Sequence, residues 1–411
     1  MKVLVLNCGS SSVKFQLIET DEELARERTD RTLAKGLIEN IGGTAVVTYE
    51  RLGARPIKET ADILEHKVAV ERSIALLTDS EKGVIGDRSE IGAVGHRVVH
   101  GGERFKSSVR FDDEVLEGIE ACFDMAPLHN PPNVRGYRAA HAVLPDIPHV
   151  AVFDTSFHQT MPPEAWVYGI PYVLYERHGI RRYGFHGTSH RFVSRRTSRL
   201  LGRPADDPEL RLITCHLGNG CSVAAVKGGR SVDTSMGFTP LEGLVMGTRC
   251  GDIDPAALPH IAAREEIGLA EVNSLLNKHS GLLGISGLSN DMRTLLEAEA
   301  SGNARARLAV DVFCYRLRKY IGAYLAVLGG ADALAFAGGI GENAAVVRAR
   351  ACASLEPLGI RLDPVKNAAA RGADTEISAE GSKVRVFVVP TNEELLIARD
   401  TFCIVSGLHP M

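Results

Sequence analysis

Residues 3–18 read VLVLNCGSSSVKFQLI, and residues 212–226 read LITCHLGNGCSVAAV, two stretches of one design roughly half the chain apart. Each is an apolar run, then a cluster of Gly, Asn, Ser and Cys, then a second alternating run. A strand, a tight turn and a returning strand give that pattern. Small residues let backbone N–H groups approach an anion, and Asn and Ser add side-chain hydrogen bonds. Either stretch alone fits an ordinary hairpin. Together they point to a duplicated fold that holds a polyphosphate between its halves.

The rest of the composition is compatible with that reading. The chain has 411 residues, 45% of them hydrophobic, enough for two or three domains with cores of their own. Its net charge of −4 and the lack of a long basic stretch argue against nucleic-acid binding. The cysteines Cys8, Cys122, Cys215, Cys221, Cys250, Cys314, Cys352 and Cys403 form no CxxC pair, so neither a zinc knuckle nor a thioredoxin-like site is signalled. Scattered thiols in a chain of this size read as reduced and cytoplasmic. The opening MKVLVLNCGSSS is too short an apolar run for a signal peptide and reads as a strand. Residues 320–341 have the length of a membrane span and a single charge, Asp332. Gly329-Gly330-Ala331-Asp332 breaks the run with turn chemistry, so a globular reading is stronger. Leu308, Val312, Leu317, Ile321, Tyr324, Leu325 and Leu328 then mark the apolar face of a helix, and 333–337 a short buried strand.

Outward from the hairpins, residues 45–49 and 91–99 read as strands, 61–77 and 113–122 as helices, and the charged stretch 21–30 as surface. In 125–133 the prolines of PLHNPP impose an extended segment, and a helix follows over 134–143. Residues 149–153 form a buried strand that delivers Asp154 to its end. Residues 157–192, rich in Gly, Pro, His and aromatics, read as a functional loop region. Asp254-Pro255 fits an N-cap with proline at the first helical position, and helices fill much of 256–328. GGIGEN at 338–343 reads as a glycine loop between the long helix before it and an N-capped helix after Asn343. Residues 383–389 read as a strand, and Thr391-Asn392-Glu393-Glu394 as a capping box opening a last helix that runs to 405. Strands and helices alternate throughout, which defines an α/β fold with mixed sheets flanked by helices.

No GxxxxGK[ST] sequence is present, which excludes a P-loop, and the HRD and DFG sequences of protein kinases are absent too. GGIGEN is either a tight turn before a helix or a strand–glycine–helix junction offering N–H groups to an anion. Arg97, before Gly101-Gly102, and Arg249, between Gly247 and Gly251, are placed either to clamp a carboxylate or phosphate or to solvate a surface. Lys14 lies on the returning strand beside the serine turn, within reach of a phosphate or simply exposed. Asp154 ends a strand where open α/β sheets bind ligands, and an ordinary cap is the alternative. His186 could donate to developing phosphoryl charge. Glu393 sits in the first turn of a capped helix, favoured there by the dipole or serving as a magnesium ligand.

The motifs NCGSSSVKF, GHRVVHGG, APLHNPPN, VFDTSFH, YGFHGTSH, HLGNGCS, DTSMGFTPLEGLVMGTRCGDIDP, FAGGIGEN and TNEELLIA occur in this order from end to end. The set resembles the acetate kinase family, of the actin-like sugar kinase and chaperone ATPase superfamily, over essentially the whole chain. GFHGTSH, MGTRCGDIDP and TNEEL in combination carry most of the specificity. The resemblance implies a two-lobed, duplicated actin-like fold. Residues 1–155 plus 390–411 would form the substrate and phosphate lobe, and 156–389 the nucleotide lobe and dimer contact. It implies that Asn7 and Glu393 position Mg²⁺, with Mn²⁺ an alternative, and that Ser10, Ser12 and Lys14 line the phosphate path. His216, Leu217, Gly218, Asn219 and Gly220 would cradle nucleotide phosphates. Asp291, Met292, Arg293, Gly339, Ile340, Gly341, Glu342 and Asn343 would surround the adenosine half of ATP or ADP. Arg97 would hold the substrate carboxylate, and Asp154 would act as acid/base or orienting group. His186 and Arg249 would stabilise the transition state, and Val99, Leu128, Phe185 and Pro240 would line the pocket for the acyl methyl. The implied protein is a cytoplasmic homodimer with no nucleic-acid or membrane partner, and its cleft closes on nucleotide.

The implied reaction is reversible transfer of the ATP γ-phosphoryl group to acetate. Acetate needs no strong base; what opposes attack is repulsion between anions and the entropy of alignment, which cations and positioning address. A propionate or butyrate kinase of the same fold is the near alternative, and Val99 favours acetate because a smaller residue there would admit a longer chain. A pyrophosphate-using variant stays open, with the intact GGIGEN segment weighing against it. A non-catalytic actin-like ATP-binding module would suit the two turns but not the Arg97, Arg249 and His186 set. A sugar kinase is disfavoured because neutral sugars want Asp, Asn and Gln.

Overall fold

Both hairpins form as their alternation requires. In the first, β1 (Lys2–Cys8) pairs antiparallel with β2 (Ser12–Glu19) in the register Lys2↔Glu19 to Cys8↔Val13. The protein is described by a computed structural model covering residues 1–27 and 29–409; Arg28, in the charged stretch 21–30, and the final two residues lie outside it. The chain divides into two units, Met1–Ser156 with Asn392–Met411, and Phe157–Thr391.

In the first unit the remaining strands are β3 (Arg31–Glu39), β4 (Gly43–Arg51), β5 (Ile57–Ile63), β6 (Ile91–Val98), β7 (Val109–Arg110) and β8 (His149–Phe153). They form one sheet in the order β5-β4-β3-β2-β1-β6-β8-β7. β1, β6 and β8 run parallel and the others pair antiparallel. One face is closed by helices His66–Leu77 and Asn130–Val143 over a core that includes Leu4, Leu6, Phe15, Ile38 and Val70. The opposite face, with Val3, Val5, Ile18, Val150 and Val152, is closed by Ile397 and Ala398 of the last helix, Glu393–Val405.

In the second unit β9 (Arg211–Leu217), β10 (Cys221–Lys227), β11 (Arg230–Thr234), β12 (Ala333–Ala337), β13 (Thr375–Glu376) and β14 (Arg385–Val388) form a sheet ordered β11-β10-β9-β12-β14-β13. β9, β12 and β14 are parallel, and β10 and β11 antiparallel. Hence β3-β2-β1-β6-β8 in one unit and β11-β10-β9-β12-β14 in the other share one plan: an antiparallel meander of three strands, then two parallel ones. The repeat begins at the two hairpins from which the duplication is read.

Several local expectations are corrected. The helix expected over 61–77 starts at His66, because 57–63 alternate in burial and pair with β4. PLHNPP does not stay extended: Asn130–Val143 is one helix with Pro131 and Pro132 in its first turn, where no N–H is required. The loop region 157–192 contains three short helical turns, at Ser156–Thr160, Pro163–Trp166 and Val173–His178, and the start of helix Gly187–Leu200. The helix after Asp254-Pro255 begins at Ala257, and the Asp254 carboxylate instead receives the Ala256 N–H in the preceding turn. GGIGEN is a short helix, Gly338–Asn343, rather than a loop, and Asn343 bonds back to the Gly339 carbonyl instead of capping the next helix, Ala345–Cys352. The last helix is capped by Asn392, whose Oδ1 receives the Leu395 N–H at 3.0 Å, so no Thr391–Glu394 box forms. Leu308 is exposed and Val312 only half-buried. The buried stripe of helix Ala304–Leu328 enters instead through Ala306, Val310 and Phe313 before joining Leu317, Ile321, Tyr324 and Leu328. In the charged stretch, Asp30 turns inward and pairs with Arg399 at 2.5 Å. Among the described residues no helix is long and apolar enough to cross a membrane.

Candidate active site

In the first unit β1, β6 and β8 are parallel, so Asn7, Arg97 and Asp154 all sit at carboxyl ends on one edge of the sheet, where α/β sheets bind ligands. Arg97 grips Asp154 in a two-pronged ion pair, Nε to Oδ1 at 3.2 Å and Nη2 to Oδ2 at 2.5 Å, and its Nη1 donates to Asn7 Oδ1 at 3.4 Å. Asp154 is 1% exposed and Arg97 23%, so the guanidinium covers the carboxylate and keeps an open side. Burial alone would disfavour the Arg97 charge; the carboxylates of Asp154 and Glu393 outweigh it and hold the guanidinium firmly protonated. Burial pushes the Glu393 carboxyl up to about 7, Arg97 opposes that, and Asp154 and Glu394 add to it. Lys14 forms an ion pair with Glu394. In the serine turn, Gly9 N–H donates to Ser12 O at 2.8 Å and His66 Nε2 donates to Gly9 O at 2.7 Å, leaving Ser10 exposed and Ser12 half-buried.

The segment after β6 is held in an unusual way. Four consecutive N–H groups donate to side chains: Val99 to Asn133 Oδ1 (3.0 Å), His100 to Asn130 Oδ1 (3.0 Å), Gly101 to Thr155 Oγ1 (3.1 Å) and Gly102 to His100 Nδ1 (3.0 Å). The glycine pair of GHRVVHGG is therefore no anion cradle, and the cations near this edge are Arg97 and Lys14. Val99 is buried, whereas Leu128 is 59% exposed.

In the second unit His186 takes a left-handed conformation, φ 57°, immediately before helix Gly187–Leu200. That turn aims its ring at the second hairpin: Nδ1 bonds Ser222 Oγ at 2.8 Å, and the ring lies 4.3 Å, centroid to centroid, from His216. Ser222 also bonds buried His190, which bonds Thr214, while His216 bonds Ser189 and Ser189 bonds Thr391. Burial, reinforced by His158 and His216, keeps the His190 ring well below the ordinary histidine range, hence neutral. His158 donates from Nε2 to Phe185 O at 3.0 Å and positions that buried phenylalanine.

The turn His216–Gly220 closes on itself with Gly218 N–H to Gly220 O at 3.0 Å. A Cβ at Gly220 would lie 3.3 Å from the His186 ring and 3.4 Å from Arg249 Nη1, and one at Gly247 would overlap Asn219 Oδ1 at 1.9 Å. The imidazole and the guanidinium thus converge on the turn, closely enough that a Cβ at Gly220 would press on both. Arg249 Nη1 also donates to Pro240 O at 3.3 Å. Asn290 Nδ2 ties the turn to the 291–293 segment through Asn219 Oδ1 at 3.0 Å. Asp291 there caps its helix and pairs with exposed Arg293 at 2.7 Å, while Met292 is buried. Helix Gly338–Asn343 follows β12 beside β9, its Glu342 carboxylate receiving the N–H groups of Gly338 (3.0 Å) and Thr391 (3.2 Å).

The first unit therefore gathers Asn7, Arg97, Asp154 and Glu393, with Lys14 on Glu394; the second gathers His186, His216, Asn219, Gly220 and Arg249. Asn130, Asn133, His66, Ser222 and Glu342 act as holders that sequence reasoning misses as holders; Asn130 and Asn133 flank the prolines of a segment read as extended.

Two units with one strand plan, each with a small-residue turn at the head of its sheet, define a duplicated actin-like ATPase fold with mixed sheets. The model of the Acetokinase family matches residues 2–399, and the chain belongs to that family. It is 53% identical over 407 residues to an acetate kinase of Methanosarcina thermophila, covering 99% of this chain and 97% of that one. Among solved structures it resembles a Porphyromonas gingivalis acetate kinase, with a TM-score of 0.93, 46% identity and coverage of 98% and 99% of the two chains. It also resembles a propionate kinase of Francisella tularensis, with a TM-score of 0.89, 42% identity and coverage of 99% of each chain.

Proposed function

We propose that this protein is an ATP:acetate phosphotransferase, working reversibly. An acetate oxygen attacks the γ-phosphorus, the bond to the β–γ bridging oxygen breaks, and ADP leaves with that electron pair, giving acetyl phosphate. The observation that carries this reading is the convergence of Arg249 and His186 on Gly220. A cation and an imidazole fixed at a phosphate-sized turn neutralise charge on a transferring phosphoryl group, the main lever in such chemistry.

Within the reading, Arg97 uses its open side for the acetate carboxylate while holding Asp154, and Asp154 orients the reacting groups. Lys14, Ser10 and Ser12 serve the phosphate path. His216, Leu217, Gly218, Asn219 and Gly220 hold nucleotide phosphates, and the 291–293 and 339–343 segments the adenosine half. Val99, Leu128, Phe185 and Pro240 limit the acyl chain. Asn7 and Glu393 offer only hard oxygen donors, and among the described residues no cluster of three or more His, Cys, Asp or Glu forms a full cage. That donor set suits Mg²⁺ or Mn²⁺, which are held by one or two carboxylates and the substrate's phosphates. When bound, the ion would screen the phosphate charge. A homodimer in a reducing, cytoplasmic setting is the assembly we assign, with the eight free thiols in keeping; sedimentation tests the dimer.

The similarity to a propionate kinase structure makes propionate the second reading. Hydroxylamine trapping of acyl phosphate from MgATP with formate, acetate, propionate or butyrate decides between them. A product strongest with acetate supports the proposal, an optimum at a longer acid replaces the substrate, and no product with any acid overturns the reaction.

A further inference from the structure

Asn133 touches none of the side chains assigned to anion binding, yet it ties the end of β6 to the end of β1, where the first small-residue turn begins. Its Oδ1 receives the Val99 N–H at 3.0 Å, and its Nδ2 donates to the Cys8 carbonyl at 2.9 Å. Those partners stand just past Arg97 on β6 and just past Asn7 on β1. The side chain is buried, so each bond is made in a medium where losing it leaves a bare polar group. One turn earlier on the same helix, Asn130 receives the His100 N–H and donates to His100 O at 2.9 Å. Leu128, the other apolar residue assigned to the acyl chain in this unit, lies two residues before Asn130. The start of helix Asn130–Val143 thus sets Val99 directly and Leu128 through the chain.

We propose that Asn133 is a positioning residue that sets the acyl-chain preference by fixing Val99 against β1. The inference rests on the acyl-transfer reading above. A hydrophobic stop discriminates one methylene only if its wall cannot retreat. Val99 is held on its backbone by a carboxamide that is itself anchored to the next strand, so the wall is rigid at its base. Without the carboxamide, the Val99 N–H loses its acceptor, the residue gains room to shift, and a longer acid is tolerated.

The test compares the full-length parent with Asn133→Ala, Asn133→Asp and Val134→Ala, the last removing core volume on the same helix without touching either bond. Each is assayed with acetate and with propionate under MgATP, and each melting temperature is measured. We expect Asn133→Ala to raise the acetate KM and to shift the propionate-to-acetate kcat/KM ratio toward propionate by about tenfold, with the ATP KM within about twofold. Asn133→Asp retains an acceptor for Val99 but loses the donor to Cys8, so its ratio should also move toward propionate, by less than in Asn133→Ala; it carries the test if the alanine variant does not fold. Val134→Ala should lower the melting temperature and leave the ratio alone. An unchanged ratio in Asn133→Ala, an equal shift in Val134→Ala, or an Asn133→Asp ratio at the parent's value overturns the inference. A parent that makes acyl phosphate from neither acid overturns the functional reading instead, and this inference with it.

Discussion

At the scale of single residues, the site is built from small side chains that let large ones in. Gly220 is the clearest case, because the space a methyl would occupy is already bounded by His186 and Arg249. Gly220→Ala should therefore displace one of them by a few tenths of an ångström or more. We expect turnover to fall about ten- to a hundredfold, in line with the cost of small misplacements, with little change in melting temperature. Arg249→Ala removes the cation itself, and turnover should drop by about 10³–10⁵, the range known for phosphoryl-transfer arginines, while ATP affinity measured by calorimetry stays within a few-fold. A correctly folded, active Arg249→Ala protein would remove the transition-state role. Arg97, Asp154 and Arg249 are legible in sequence as candidates, the arginines by their glycine-flanked settings and Asp154 by its place at a strand end, with their roles supplied only by the family resemblance. Their holders are not. Asn133 meets partners 34 and 125 positions away, and nothing local in NPPNVRG points to either.

Among elements, strands are more legible than helix starts. β1, β2, β9 and β10 follow from the apolar and alternating runs and the turn residues between them, and each pair forms an antiparallel hairpin. Helix starts fail where one residue has two readings. Proline reads as a breaker in PLHNPP yet occupies the first helical turn, and Thr391 reads as a cap although its neighbour Asn392 does the capping. β5 goes unread because its alternation, IKETADI, runs into the helix after it. The Asn392 cap matters beyond its helix because Glu393 is the first residue it fixes. Asn392→Ala should cost about 1 kcal/mol, visible as a lower urea midpoint; an unchanged midpoint would mean that the cap contributes nothing.

For the molecule as a whole, stability should depend on pH through histidines outside the chemistry. His149 donates from Nε2 to Leu144 O (3.1 Å), so its Nδ1 must accept from His96 Nε2 (2.8 Å), and both rings are neutral. Burial, then the neighbouring His149, holds His96 well below its ordinary range. Burial likewise brings His149 to about 4, despite its bond to Leu144 and with His141 adding to the effect, and brings His100 to about 4. Tyr137 and His141 pack against the pair and offer no countercharge. The unfolded chain takes up these protons below its ordinary histidine value of about 6.5, whereas in the folded chain His149 and His100 do not until near 4, and burial holds His96 down as well. Stability is thus intact above about pH 6.5 and falls as pH drops toward 4, by up to ~1.4 kcal/mol per pH unit for each histidine. Melting temperatures from pH 7.5 to 4.5 check the slope, and replacing His96 with Gln should flatten it. The division of the chain has a different consequence. The face of the first sheet bearing Val3, Val5, Ile18, Val150 and Val152 is covered by a helix that a ribosome makes only after all of residues 157–391. Throughout most of its own synthesis the first unit exposes a sticky β-surface, so nascent chains halted before residue 392 should aggregate or engage chaperones, and supplying the missing helix as a separate peptide should release them.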